Sequence, residues 1–99
     1  MIRGTTPTHV FTLPFDTEIL QNVRVIYSWG GAEKITKEAY DCQLDGNTVT
    51  VKLTQEDTLK FPEGKLIDIQ IRALNKTGDA IASDIMRVHV CRCLDDEVI

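Results

Sequence analysis

Three cysteines and two histidines are the residues of this chain whose types could support metal or nucleophilic chemistry. Cys91 and Cys93 form a C-x-C pair, close enough for two thiolates to share a soft metal ion. Cys42, His89 and His9 are the candidates to complete the four ligands that a closed zinc site wants. The odd count and the spacing 42, 91, 93 are not those of a small disulfide scaffold, so reduced thiols are expected. Cysteine used as a small buried hydrophobe on a strand explains them without a ligand. A Cys–His nucleophile would need a third group to orient the base. His89 falls between Val88 and Val90 with opposite parity, which points it to solvent, and His9 sits near the start of the first strand. No catalytic residue, bound metal or cofactor is predicted.

Carboxylates recur as Glu56-Asp57 and Asp95-Asp96-Glu97, but fifteen acids on this length must produce neighbours, and solvated loops account for them. The segment from Asp41 to Asn47 lacks the calcium-loop spacing, and neither a phosphate loop nor a dinucleotide fingerprint is present. Tyr27, Trp29 and Tyr40 could line one edge of a sheet and stack on a sugar ring or a protein partner. Their parity with Val23 and Val25 assigns two of the three to the core.

The elements that must position these groups read as almost all β. With 99 residues, 42% hydrophobic and 26% charged, the chain suits one globular domain. A net charge of −4 disfavours nucleic acid and anionic membrane as main partners. No apolar run approaches the roughly 20 residues of a spanning helix. Residues 1–13 lack the pattern of a signal peptide, so synthesis in the cytosol without Sec export is expected.

Residues 8–13 form an edge-biased first strand closed by Pro14. Val23, Val25, Tyr27 and Trp29 alternate in a second strand that ends at Gly30-Gly31, and residues 33–38 make a polar third strand anchored by Ile35. Matching apolar faces sets Leu44 against Val49, Cys42 against Val51 and Tyr40 against Leu53, with a four-residue loop at residues 45–48. Thr54 and Asp57 fit a capping box for one helical turn, after which Leu59 and Phe61 dock on the core. Residues 66–74 are the clearest strand, with Ile67, Ile69, Ile71 and Ala73 on one face, and Gly78 turns the chain into a returning arm. Apolar parity changes along that arm, which predicts one inserted residue near Asp84 or Ile85. Phe15 and Leu20 bracket a half-turn onto the core. About seven strands without any βαβ pattern predict an all-β, immunoglobulin-like antiparallel β-sandwich over residues 1–93, with a small β-barrel as the alternative. Residues 94–99 form an acidic C-terminal tail whose Val98 and Ile99 could dock on a neighbouring subunit.

Residues 1–16 (MIRGTTPTHVFTLPFD), 49–61 (VTVKLTQEDTLKF), 69–74 (IQIRAL) and 78–85 (GDAIASDI) resemble a family of short phage and prophage proteins of gut Firmicutes. The last two stretches are also similar to the immunoglobulin-like N-terminal domain of phage baseplate upper proteins. These resemblances imply a virion component, made in the bacterial host cytoplasm, in tail, baseplate or capsid decoration. Its implied partners are other virion proteins and further copies of itself, with no nucleic acid and no membrane. The resemblance carries no catalytic or contact residue onto this chain. A non-enzymatic structural or assembly module is therefore the leading expectation, and a carbohydrate-binding module for host-surface recognition is the alternative.

Overall fold

In the computed structural model, which describes residues 1–99 in full, the alternating runs become eight strands and one short helix. β1 spans Thr8–Thr12, β2 Leu20–Trp29, β3 Glu33–Glu38, β4 Cys42–Asp45 and β5 Thr48–Lys52. The helix α1 covers Gln55–Leu59, followed by β6 at Leu66–Asn75, β7 at Ala80–Ala82 and β8 at Met86–His89. One sheet has the order β1-β5-β4; the other runs β3-β2-β6, with β7 and β8 both paired to the remaining edge of β6. No ladder joins the two sheets, so the chain is a sandwich with four open edges rather than a closed barrel. In immunoglobulin notation it reads B-E-D against C′-C-F-G, an immunoglobulin-like architecture. No helix is long and apolar enough to cross a membrane.

Period-two alternation builds the core. Val23, Val25 and Tyr27 of β2, Val49 and Val51 of β5, and Ile67, Ile69, Ile71 and Ala73 of β6 all turn inward and are buried. Burying each large apolar side chain contributes about 2 kcal/mol. A one-residue slip of β6 would turn Ile67, Ile69 and Ile71 outward together, a loss comparable to a small domain's net stability. Phe15 packs against this core and Leu20 is buried within it, either side of a 3₁₀ turn at Thr17–Ile19.

The β4–β5 register matches the face-matching expectation, with Leu44 opposite Val49 and Cys42 opposite Val51. The loop is tighter than the four residues expected: Asp45 pairs with Thr48, leaving Gly46-Asn47 as a two-residue turn. Gly46 has φ +54° and no non-glycine residue has positive φ, the signature of a type II′ turn, whose twist suits a hairpin and permits the extra pair. Tyr40 does not oppose Leu53. It lies in a 3₁₀ turn at Ala39–Asp41, where the chain leaves one sheet for the other and the Asp41 carboxylate accepts from the Glu38 N–H.

The returning arm contains the expected insertion, and it divides one anticipated strand into two. Arg72 faces Ala82 while Ile69 faces Met86, three steps along β6 against four along the arm. Ser83 staples the irregularity: its Oγ accepts from the Ile71 N–H at 3.0 Å, and its own N–H donates to the Ile71 carbonyl. The bulge turns Met86 and Val88 to the inner side, opposite Ile69 and Ile67, and Val90 beyond them is fully buried.

α1 forms at the predicted capping box. The Thr54 hydroxyl accepts from the Asp57 N–H at 3.1 Å, and the Asp57 carboxylate accepts from the Thr54 N–H at 3.0 Å. Asp57 also receives the Lys37 ammonium at 2.8 Å, with both side chains largely buried. Asp57→Ala removes a cap and strands Lys37, so it should cost about 2–4 kcal/mol in urea unfolding. Adding Lys37→Met should restore part of that loss. A single variant within about 0.5 kcal/mol of the parent would contradict this account.

Candidate functional site

The densest meeting of polar and aromatic groups lies between the sheets. His9 of β1 and Tyr27 of β2 both turn inward, and their Nδ1 and Oη atoms are 2.7 Å apart. Phe61, delivered by α1, stands 6.0 Å from the Tyr27 ring and meets Trp29 edge-on at 5.2 Å. Burial pushes the Tyr27 phenol well above its ordinary value, and the nearby Cys42 and Asp57 add to the shift. It therefore stays protonated, and the His9 ring is its one hydrogen-bond partner. Burial, with a smaller contribution from the Met1 ammonium, holds His9 below 6.5. Burial alone would raise Asp57, but hydrogen bonds from Lys37 and Thr54 and the Lys37 charge together keep it below 3.8. The cluster is a polar seam joining two sheets.

Tyr27 has no exposed surface, so it is a core residue and not a platform for a sugar or a partner. Trp29 is half-buried against Phe61, whereas Tyr40 is 87% exposed on the turn between β3 and β4. The three aromatics singled out from the sequence are thus not brought together as one surface. All three cysteines are free. Cys42 packs half-buried against the core, its thiol pushed up by burial and by Asp41. Cys91 is exposed with Sγ 3.8 Å from His89 Nδ1, and Cys93 is half-buried near Gly4. No three His, Cys, Asp or Glu side chains converge on a metal-binding position.

The surface is more informative. On the side where β1 faces β7 and β8, a cleft of about 220 Å³ is lined chiefly by Leu13, Phe15, Ile71, Ala73 and Ile81. That is below the roughly 300–1,000 Å³ of small-molecule sites, and it suits one apolar side chain of a protein. Val10, Ile85 and Met86 on the flanking strands and loop are 60%, 57% and 37% exposed. In sequence, the apolar parity of the returning arm changes from Ile81 and Ile85 to Met86. That parity break is the sequence signal for these exposed residues, since a bulged edge strand cannot bury all its apolar side chains.

The acidic tail folds back on its own domain. Arg3 donates to the Leu59 and Phe61 carbonyls at the end of α1 and pairs with Asp96. The Ile99 N–H donates to Gln55 Oε1 at 2.9 Å, and Gln55 Nε2 donates to the Ile99 carbonyl at 3.3 Å. Val98 and Ile99 remain 50% and 95% exposed. No family model, curated protein or solved structure matches this chain.

The seam sets the pH response. His9 titrates lower in the folded chain than its ordinary 6.5, so its contribution to stability is complete above pH 6.5 and falls as pH drops through the folded value. Asp57, also lowered, adds a second loss below pH 3.8. Unfolding free energy measured against pH should decline just below 6.5 in the parent and show a flatter profile there in His9→Gln. Equal slopes in both would remove His9 as the origin.

Proposed function

We propose that this chain is a non-enzymatic structural or assembly module of a phage particle, in tail, baseplate or capsid decoration, acting through protein–protein contacts. The observation that carries this reading is the apolar cleft lined by Leu13, Phe15, Ile71, Ala73 and Ile81, sized for one side chain, on a domain that also exposes Val10 and Met86 on its edge strands and Ile85 on the loop before β8. Singly scattered apolar residues are ordinary on a protein surface, but an apolar cleft beside an open sheet edge is the pattern of a contact surface. The groups with chemistry are engaged elsewhere. His9 is bonded to Tyr27 and Lys37 to Asp57 within the domain, and His89 and Cys91 stand together without a third orienting partner. The resemblance of residues 1–16, 49–61, 69–74 and 78–85 to short phage and prophage proteins supplies the setting.

Such a module works through multiplicity. Weak contacts repeated around a ring or over a shell give high avidity, and a small rigid sandwich with open edges is well suited to repetition. Mass spectrometry of gradient-purified particles from an induced lysogen carrying this gene should find the chain at a fixed ratio to the major capsid protein. The ratio separates a shell decoration from a tail-tip ring. Abundance in the lysate with absence from particles would overturn the reading.

A further inference from the structure

The sandwich has four open edges, and three of them are blunted against pairing. β3 carries Glu33, Lys34, Lys37 and Glu38, with Lys37 turned inward to Asp57. β4 is four residues long and ends in Asp45, directly after Asp41. The β7–β8 edge is interrupted by the Ser83 bulge. Inward charge, shortness and bulges are the usual means by which folded proteins keep sheet edges from pairing. β1 has none of them. Its five residues, Thr8-His9-Val10-Phe11-Thr12, include no charged side chain at neutral pH, no proline and no bulge.

Its hydrogen-bonding groups are also free. The Leu13 N–H donates to the Asn47 carbonyl and the Leu53 N–H to the Pro7 carbonyl, so odd-numbered residues of this ladder bond to β5. The N–H and C=O groups of Thr8, Val10 and Thr12 therefore point away from the sheet. The strand reads the same from either end, threonine, ring, valine, ring, threonine. Paired antiparallel with a copy of itself about Val10, it places Thr8 against the copy's Thr12 and Val10 against the copy's Val10, β-branched partners on the outer face, and His9 against the copy's Phe11 on the inner one. At net charge −4, two copies repel one another, and an uncharged edge is where they can meet without opposing like charges.

We propose that β1 is a homodimerisation edge: two copies pair β1 to β1 antiparallel about a two-fold axis at Val10, joining their three-stranded sheets into one of six. The same axis brings the β7–β8 sides of the copies toward each other and covers exposed Ile85, Met86 and the cleft beside them. This pairing deepens the assembly reading by naming a second copy as partner, yet the two fail separately. A chain monomeric in solution but present in particles would overturn only the pairing; a dimer absent from particles would overturn only the virion role.

The test is sedimentation velocity of the full chain at concentrations up to about 100 µM. The parent should be a dimer, Val10→Thr should remain one, and Val10→Lys should weaken association by about tenfold or more, because like charges then oppose one another across the axis. Val10 is 60% exposed on the outer face, so the lysine leaves the core untouched. A parent that is monomeric throughout, or a Val10→Lys chain as dimeric as the parent, would overturn the proposal. Amide hydrogen exchange on the parent gives an answer independent of any variant. Protection at Thr8, Val10 and Thr12 should rise with protein concentration, and protection that is independent of concentration would overturn the pairing.

Discussion

A five-residue helix has no stability of its own, so α1 exists because both of its ends are held from outside. Asp57 is the key group. Its carboxylate closes the capping box with Thr54 and neutralises Lys37, tying the crossover between the sheets to the edge strand β3. At the other end Arg3 donates to the Leu59 and Phe61 carbonyls, where a cation also complements the helix dipole. Breaking the Asp57 contacts would leave an ammonium largely buried without its partner, which is why the interaction constrains so much around it.

The core arrangement follows from where that crossover comes down. Phe61 is placed against Tyr27 and Trp29, and Tyr27 in turn reaches His9 across the sandwich. Fully buried Thr58 donates to the Thr5 carbonyl, fastening the approach to β1. Gln55 and Arg3 hold the tail. At the Gly46 loop the bonding is different in kind, since the Thr17 N–H and hydroxyl both donate to the Gly46 carbonyl with no charged group involved. Between these two regions, the side at β1 and β7–β8 is filled only in part: Met1 packs against the core there, and the Ile2–Cys91 bridge continues the β8 line. The cleft is what that partial filling leaves.

Most of the fold was legible because a strand's side chains alternate with a period of two and a single slip reverses every one of them. The inward faces of β2 and β6, the pairing of Cys42 with Val51, the one-turn helix and the inserted residue of the returning arm all follow from that rule plus capping and turn chemistry. Two local features escaped it. Gly46-Asn47 could close the hairpin with a loop two residues shorter because glycine takes the first position of a type II′ turn without strain. Tyr40 left its expected pairing because the Glu38–Asp41 bond curls the chain before β4 begins.

The candidate contact surface was less legible, and the reason is physical. Alternation tells which face of a strand is apolar but not whether another layer covers it, so Tyr27, Trp29 and Tyr40 looked alike in sequence and ended fully buried, half-buried and exposed. By itself, the sequence determined the all-β class, the strand faces, the capping box and the insertion, since each depends on residues within a few positions of one another or directly across a hairpin. Pro14 already marked β1 as an edge-biased strand, whereas the closing of His9 on Tyr27 and the capture of Lys37 by Asp57 were decided only by tertiary structure. Both contacts depend on which strands become neighbours across the sandwich, and long-range packing settles that.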